Sequence, residues 1–97
     1  MNELMNLTKQ SLSIVSSATI KDEEIKMWID AGKEDLKRQG IITKLDNPLI
    51  KSAIIMFVKA NFGNVDIKEK ELSQKTYNLL CCNLGLSDDF KVVDNDA

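Results

Sequence analysis

Apolar residues recur at helical spacing in four stretches of the chain, and the third stretch is too apolar for one buried face. From Leu49 to Phe62, ten of fourteen residues are apolar. At 100° per residue they cover most of the circumference, whereas an ordinary surface helix carries a stripe roughly 100° wide. Asn47 is a natural N-cap for this helix, and Pro48 suits its first position, where the missing N–H has no helical partner to lose. Gly63 supplies the expected stop. Ile55 and Phe62 fall between Lys51 and Lys59, on the side expected to face water. A chain of 97 residues has little to wrap around such a helix. Part of its surface is therefore expected to meet another subunit, with Lys51, Ile55, Met56, Lys59 and Phe62 as the candidate contact.

Three more helices follow from the same spacing. The first runs from about Glu3 to Val15, with Leu4, Leu7, Ser11, Ile14 and Val15 on one side and Asn6, Lys9 and Gln10 on the other. The second runs from about Asp22 to Gln39. Ile25, Ile29, Gly32 and Leu36 lie within about 60° of arc, Trp28 flanks them, and Asp22, Lys26, Asp30, Lys33 and Lys37 form the solvated side. Thr19 or Asp22 caps it, Asp22, Glu23 and Glu24 suit the positive end of its dipole, and Gly40 stops it after Lys37 and Arg38. Gly32 in mid-helix costs about 1 kcal/mol relative to alanine. Its place in the apolar stripe predicts the close approach of another helix. The last helix starts at a capping box, Asp66 to Glu69, buries Leu72, Thr76, Leu79, Leu80 and Leu84, and ends at Gly85.

These elements predict an all-α fold: a small bundle of about four helices with a long central antiparallel helix pair, in one domain over residues 1–87. Residues 88–97 read as an acidic, mobile tail. Asp88, Asp89, Asp94 and Asp96 stand there against Lys91, and Phe90, Val92 and Val93 are available for docking.

Composition narrows the function. A formal charge of −2 and a pI near 5.1 argue against a free-standing nucleic-acid binder, which needs an excess of Lys and Arg against phosphates. The longest apolar run, Ala53 to Val58, is far short of the roughly 20 residues that span a bilayer. Met1-Asn2-Glu3 has neither the charge nor the apolar segment of a secretory signal. The vicinal Cys81-Cys82 is no disulfide framework and reads as two reduced thiols of a cytosolic protein.

Candidate chemistry is sparse. Without histidine, the usual general base is missing, and Ser-His, Cys-His and HExxH arrangements are excluded. The four glycines are isolated, so no phosphate-binding loop occurs. The acids Asp22, Glu23, Glu24, Asp30, Glu34 and Asp35 point in several directions among lysines; dipole complementarity and the Glu34–Arg38 pair explain them better than a metal site does. Trp28 reads as a core or interface aromatic rather than a ligand platform. No enzyme, cofactor or metal is expected.

Two segments together carry a resemblance. Asp22-Glu-Glu-Ile-Lys-Met-Trp-Ile-Asp-Ala-Gly-Lys-Glu-Asp-Leu and Asn47-Pro-Leu-Ile-Lys-Ser-Ala-Ile-Ile-Met-Phe-Val-Lys-Ala-Asn-Phe-Gly-Asn resemble the acidic-start and apolar helices of adaptor-type phage head–tail connector proteins. The resemblance extends from about Leu4 to Leu86. It implies a structural adaptor of the virion neck, assembled in the bacterial cytoplasm as a homo-oligomeric ring under the portal protein. Such a ring extends the DNA channel, lets DNA pass without specific binding, and offers a surface to a downstream stopper or tail-completion protein, with no membrane involved. It would also give the acidic tail a task, portal docking through Asp88, Asp89, Phe90, Val92 and Val93. The competing reading is a small dimeric, antitoxin-like interaction or regulatory module. That would require a basic recognition helix, and the second helix sets Asp22 and Asp30 among Lys26, Lys33 and Lys37.

Overall fold

Helix α3 (Pro48–Asn61) is the element on which α1 (Asn2–Ser11), α2 (Asp22–Arg38) and α4 (Ile67–Leu86) all pack. The computed structural model describes residues 2–15, 17–41, 47–63 and 65–86; the loop 42–46 and the acidic tail 88–97 lie outside them. Within the described residues the class is all-α, as the spacing predicts.

Three neighbours from its own chain account for the apolar circumference of α3. Ile50, Ala53, Ile54 and Val58 are fully buried, and Ile55, Met56 and Phe57 are half-buried against the same core. Only Leu49, at the helix start, keeps about half its surface, 49%. The chain thus wraps this helix more completely than its length suggests.

Side-chain pairs set the helix directions. Phe57 meets Tyr77 at 5.3 Å and Lys59 meets Glu69 at 2.9 Å, so α3 and α4 are antiparallel. Asp35 meets Tyr77 and Gln39 meets Cys81, so α2 and α4 run the same way. It follows that α3 is antiparallel to both, and its most extensive contact is with α4. At α2 the close approach predicted at Gly32 occurs: a Cβ there would stand 3.2 Å from Phe57 Cδ1.

Several local expectations change. Phe62, expected on the water side, is 1% exposed and belongs to the core. Lys51 and Lys59, which marked that side as solvated, are themselves about four-fifths buried, and Phe62 lies about 40° around the helix from the fully buried Val58. Asn61 is the last helical residue, and Phe62 is extended (φ −67°, ψ 133°). This extended residue, not a left-handed Gly63, ends α3. Asn47 caps the other end as expected, accepting from the N–H groups of Leu49 and Ile50 at 2.9 and 3.4 Å.

Helix α2 ends as Gly40 predicts. Gly40 is left-handed (φ 81°), its N–H donates to the Lys37 carbonyl, and the Ile41 N–H donates to the Leu36 carbonyl. Leu36 and Ile41 are both buried, the apolar contact that accompanies this Schellman motif. Helix α1 ends in the same way at Ser11, not Val15: Ile14 donates to Lys9, Ser13 donates to Gln10, and Ser13 takes the left-handed position (φ 61°). Val15 is left 68% exposed. The N-cap of α2 is Lys21 and makes no side-chain cap bond. The Asp22 carboxylate turns instead to Lys9 at 2.6 Å, and Thr19 contributes only its carbonyl, to the Asp22 N–H.

The buried face of α4 differs most. Ser73, Tyr77, Cys81 and Leu84 are buried, whereas Leu72 and Leu79 are 64% and 66% exposed. The small Ser73 and Cys81 and the hydrogen-bonded Tyr77 face the neighbouring helices; two of the expected core leucines look outward. Asp66 accepts from the Lys68 N–H, as a cap should. Glu69 does not complete the box, because Lys59 of α3 takes it. Gly85 lies inside the helix and does not end it.

Candidate functional site

The α3 stripe singled out in the sequence is a seam between helices. Lys51 reaches Glu3 of α1 at 2.6 Å, and Lys59 reaches Glu69 of α4; both lysine side chains are about four-fifths buried. The hydrogen bond from Lys51 holds the Glu3 carboxyl below its ordinary pKa. Ile55 lies on the same stripe, half-buried, and Met56 is half-buried beside it. Phe62 lies under the seam. The tail residues Asp88, Asp89, Phe90, Val92 and Val93 are outside the described residues.

Where α2 and α4 meet, a polar cluster joins them that the sequence reading did not find. Asp35 accepts hydrogen bonds from Tyr77 at 2.5 Å, from Gln39 at 2.8 Å and from Arg38. Gln39 also donates to the Cys81 sulfur at 3.6 Å. Burial pushes the Asp35 carboxyl upward, but the three donors outweigh it and hold its pKa below the usual value. Burial, reinforced by donation to Asp35, pushes the Tyr77 hydroxyl far above that of an ordinary phenol. Burial likewise raises the Cys81 thiol, which makes it a poor nucleophile. Cys82 is exposed and free. The cluster ties α2 to α4.

These shifts give opposite pH signs. The Asp35 contribution to stability is present above the ordinary carboxylate pKa and is lost as pH falls through its lowered value. The Tyr77 contribution is present below about 10, the ordinary phenol pKa, and declines above it as the unfolded state ionises. Tyr77 is the sole tyrosine, so phenolate absorbance reports on it alone. We expect no phenolate signal near pH 10 in the folded protein; it should appear only with unfolding at higher pH. Tyr77→Phe should remove this alkaline dependence and cost about 1–2 kcal/mol at neutral pH. A folded protein whose tyrosine titrates near pH 10 would show that the bond to Asp35 does not hold in solution.

Trp28 is half-buried with its ring 6.3 Å from that of Phe57, a core aromatic at the α2–α3 contact. A cleft of about 140 Å³ lies between the end of α1 and the start of α4, lined by Ser11, Leu12, Ser13, Lys59, Val65, Asp66 and Glu69. Lys59 and Glu69 are paired to each other there. Among the described residues no group of side chains is arranged to hold a metal ion, and no helix is long and apolar enough to cross a membrane.

The outward surface is more distinctive. Met27 on α2 and Leu72 and Leu79 on α4 are 53%, 64% and 66% exposed. Ile20 in the α1–α2 connection and Ile67 at the start of α4 are also exposed. Scattered single apolar residues are normal on a surface. Leu72 and Leu79, however, stand two turns apart on one line of one helix.

Comparison with known proteins agrees with the resemblance. A family model described as phage connector protein matches residues 4–91, nearly the whole chain. No curated protein and no solved structure matches it.

Proposed function

The chain belongs to the phage connector protein family, and from that premise we propose that it forms a ring beneath the portal, extends the DNA channel and passes the head to the next neck component. Membership itself gives the chain a structural role at the phage head–tail junction. The observation that carries the ring is the outward-facing apolar set Met27, Leu72 and Leu79. A ring subunit buries two different faces against its two neighbours, a heterologous contact that closes by rotation. The seam Lys51, Ile55, Met56 and Lys59 supports those faces from behind, while Phe62 acts within the core. The mild negative charge suits a channel that DNA must leave freely, since tight binding would need basic side chains facing the phosphates. The acidic tail, Asp88, Asp89, Phe90, Val92 and Val93, is assigned to portal docking.

One experiment with two arms tests this reading. The full chain and a chain ending at residue 87 are each mixed with the portal protein of the same phage and followed by sedimentation and electron microscopy. The full chain should add a ring of density below the portal, and the shortened chain should bind more weakly. No added density with the full chain would overturn the ring. Equal binding by both chains would remove the tail from docking.

A further inference from the structure

Resting on the ring reading, we propose that neighbouring subunits meet through the outer face of α4 on one copy and the outer face of α2 on the next, in parallel. On α2, Glu23, Met27, Asp30 and Glu34 follow one another at steps of four, three and four residues. On α4, Lys68, Leu72, Lys75 and Leu79 repeat the same steps. Each set lies within about 60° of arc, the geometry of a coiled-coil seam. All but Asp30 are classed as exposed, and the Asp30 side chain is 48% exposed.

Laying the two sets side by side in the parallel sense puts Glu23 against Lys68, Met27 against Leu72, and Asp30 against Lys75. Leu79 falls beside the aliphatic stem of Glu34. The two layers that carry a charge on both helices join opposite signs, and Met27 and Leu72 share a layer. Alternatives fare worse. Parallel α4 on α4 sets lysine on lysine, and parallel α2 on α2 sets acid on acid. The antiparallel α2–α4 pairing sets both leucines on acids and Met27 on Lys75, and antiparallel α4 on α4 sets leucine on lysine. Among the described residues, Glu23, Glu34, Lys68 and Lys75 have no ion-pair partner within the chain. Asp30 is held only by its helix neighbours, the exposed Lys26 and the half-buried Lys33.

The subunit's own geometry favours the parallel sense. Within one chain α2 and α4 already run the same way, with Asp35 level with Tyr77 and Gln39 level with Cys81. Rotation about an axis slightly inclined to the helices preserves direction and shifts level a little, so α4 of one copy meets α2 of the next in parallel with a small offset. The proposed register differs from the internal one by three residues, about 4.5 Å of helical rise. Leu72 thus gains Met27 and Leu79 the stem of Glu34, Glu23 gains a cation that the monomer does not supply, and Asp30 gains one from outside its own helix.

Charge reversal tests the pairing. The variants Lys68→Glu/Lys75→Glu and Glu23→Lys/Asp30→Lys each place like charges across the seam. Each should assemble on the portal about a hundredfold more weakly than the wild type, because like charges brought together at an interface cost several kcal/mol. The melting midpoint of Lys68→Glu/Lys75→Glu should stay close to that of the wild type, since both sites lie on the surface. Glu23→Lys/Asp30→Lys should melt lower but remain folded, because it opposes the α2 dipole and loses the Lys26 and Lys33 pairs. The chain carrying all four substitutions restores opposite signs and should assemble again, with weakening at high salt as in the wild type. Wild-type assembly of the two-site variants would overturn the seam and leave the ring intact. Loss without rescue in the four-site variant would overturn the α2–α4 pairing. A wild-type chain that adds no ring to the portal would overturn both the seam and the ring.

Discussion

Phe62→Ala is expected to cost the isolated subunit about 3–5 kcal/mol, the usual range for truncating a buried aromatic. Phe62 is 1% exposed, and its N–H donates to the Val58 carbonyl at 2.8 Å, so its ring enters the core as the chain leaves α3. A domain of this size is held by only about 5–15 kcal/mol in total. Phe62→Glu, which would bury a charge without a partner, is accordingly expected to leave no folded subunit. Urea unfolding followed through Trp28, the sole tryptophan, measures both variants. A Phe62→Glu chain that folds with the wild-type midpoint but fails to assemble would return this residue to the subunit surface.

The second large effect is expected at Lys9. Its side chain is 3% exposed, and its ammonium group meets Asp22 at 2.6 Å and donates to the Ala18 carbonyl at 2.8 Å. One lysine thus ties the end of α1 to the loop before α2 and to the first turn of α2. Lys9→Ala should cost about 2–3 kcal/mol. That is less than the full penalty for breaking a buried pair, because Asp22 keeps about a third of its side chain in water. Lys9→Met, which retains the apolar stem, should recover part of the loss. A double-mutant cycle with Asp22→Asn separates the ion pair from the packing. A loss below about 0.5 kcal/mol for Lys9→Ala would mean that water already screens the pair.

Much of this architecture was legible before any coordinates. The buried stripe of α2, Ile25, Ile29, Gly32 and Leu36, is as its spacing predicts. The same holds for the Asn47 cap, the Gly40 stop and the close approach at Gly32, now identified as Phe57. Each depends on residues a few positions apart, where helix geometry alone relates sequence to space. The acidic-start helix followed by Asn-Pro and an apolar helix also carried the family resemblance.

Reading failed where the deciding partner lay far along the chain. The wheel of α4 offered Leu72 and Leu79 as core, but Ser73, Tyr77, Cys81 and Leu84 are buried instead, and Tyr77 finds its partner Asp35 some forty residues away. Lys9 looked solvated because nothing near it in sequence shows that α2 will bring Asp22 to it. Phe62 was misplaced because Lys51 and Lys59, read as marks of the water side, are held by Glu3 and Glu69 of other helices.

The sequence by itself determined four helices, most of their ends, the buried face of α2 and the family. The tertiary structure alone decided which apolar surface is spent inside the subunit and which is left outside. Packing α1, α2 and α4 around α3 consumes the surface that had seemed to require another subunit, and leaves Met27, Leu72 and Leu79 facing outward. Helical periodicity shows which residues share a face, but only the packing of the other helices decides whether that face meets water, core or a neighbouring subunit.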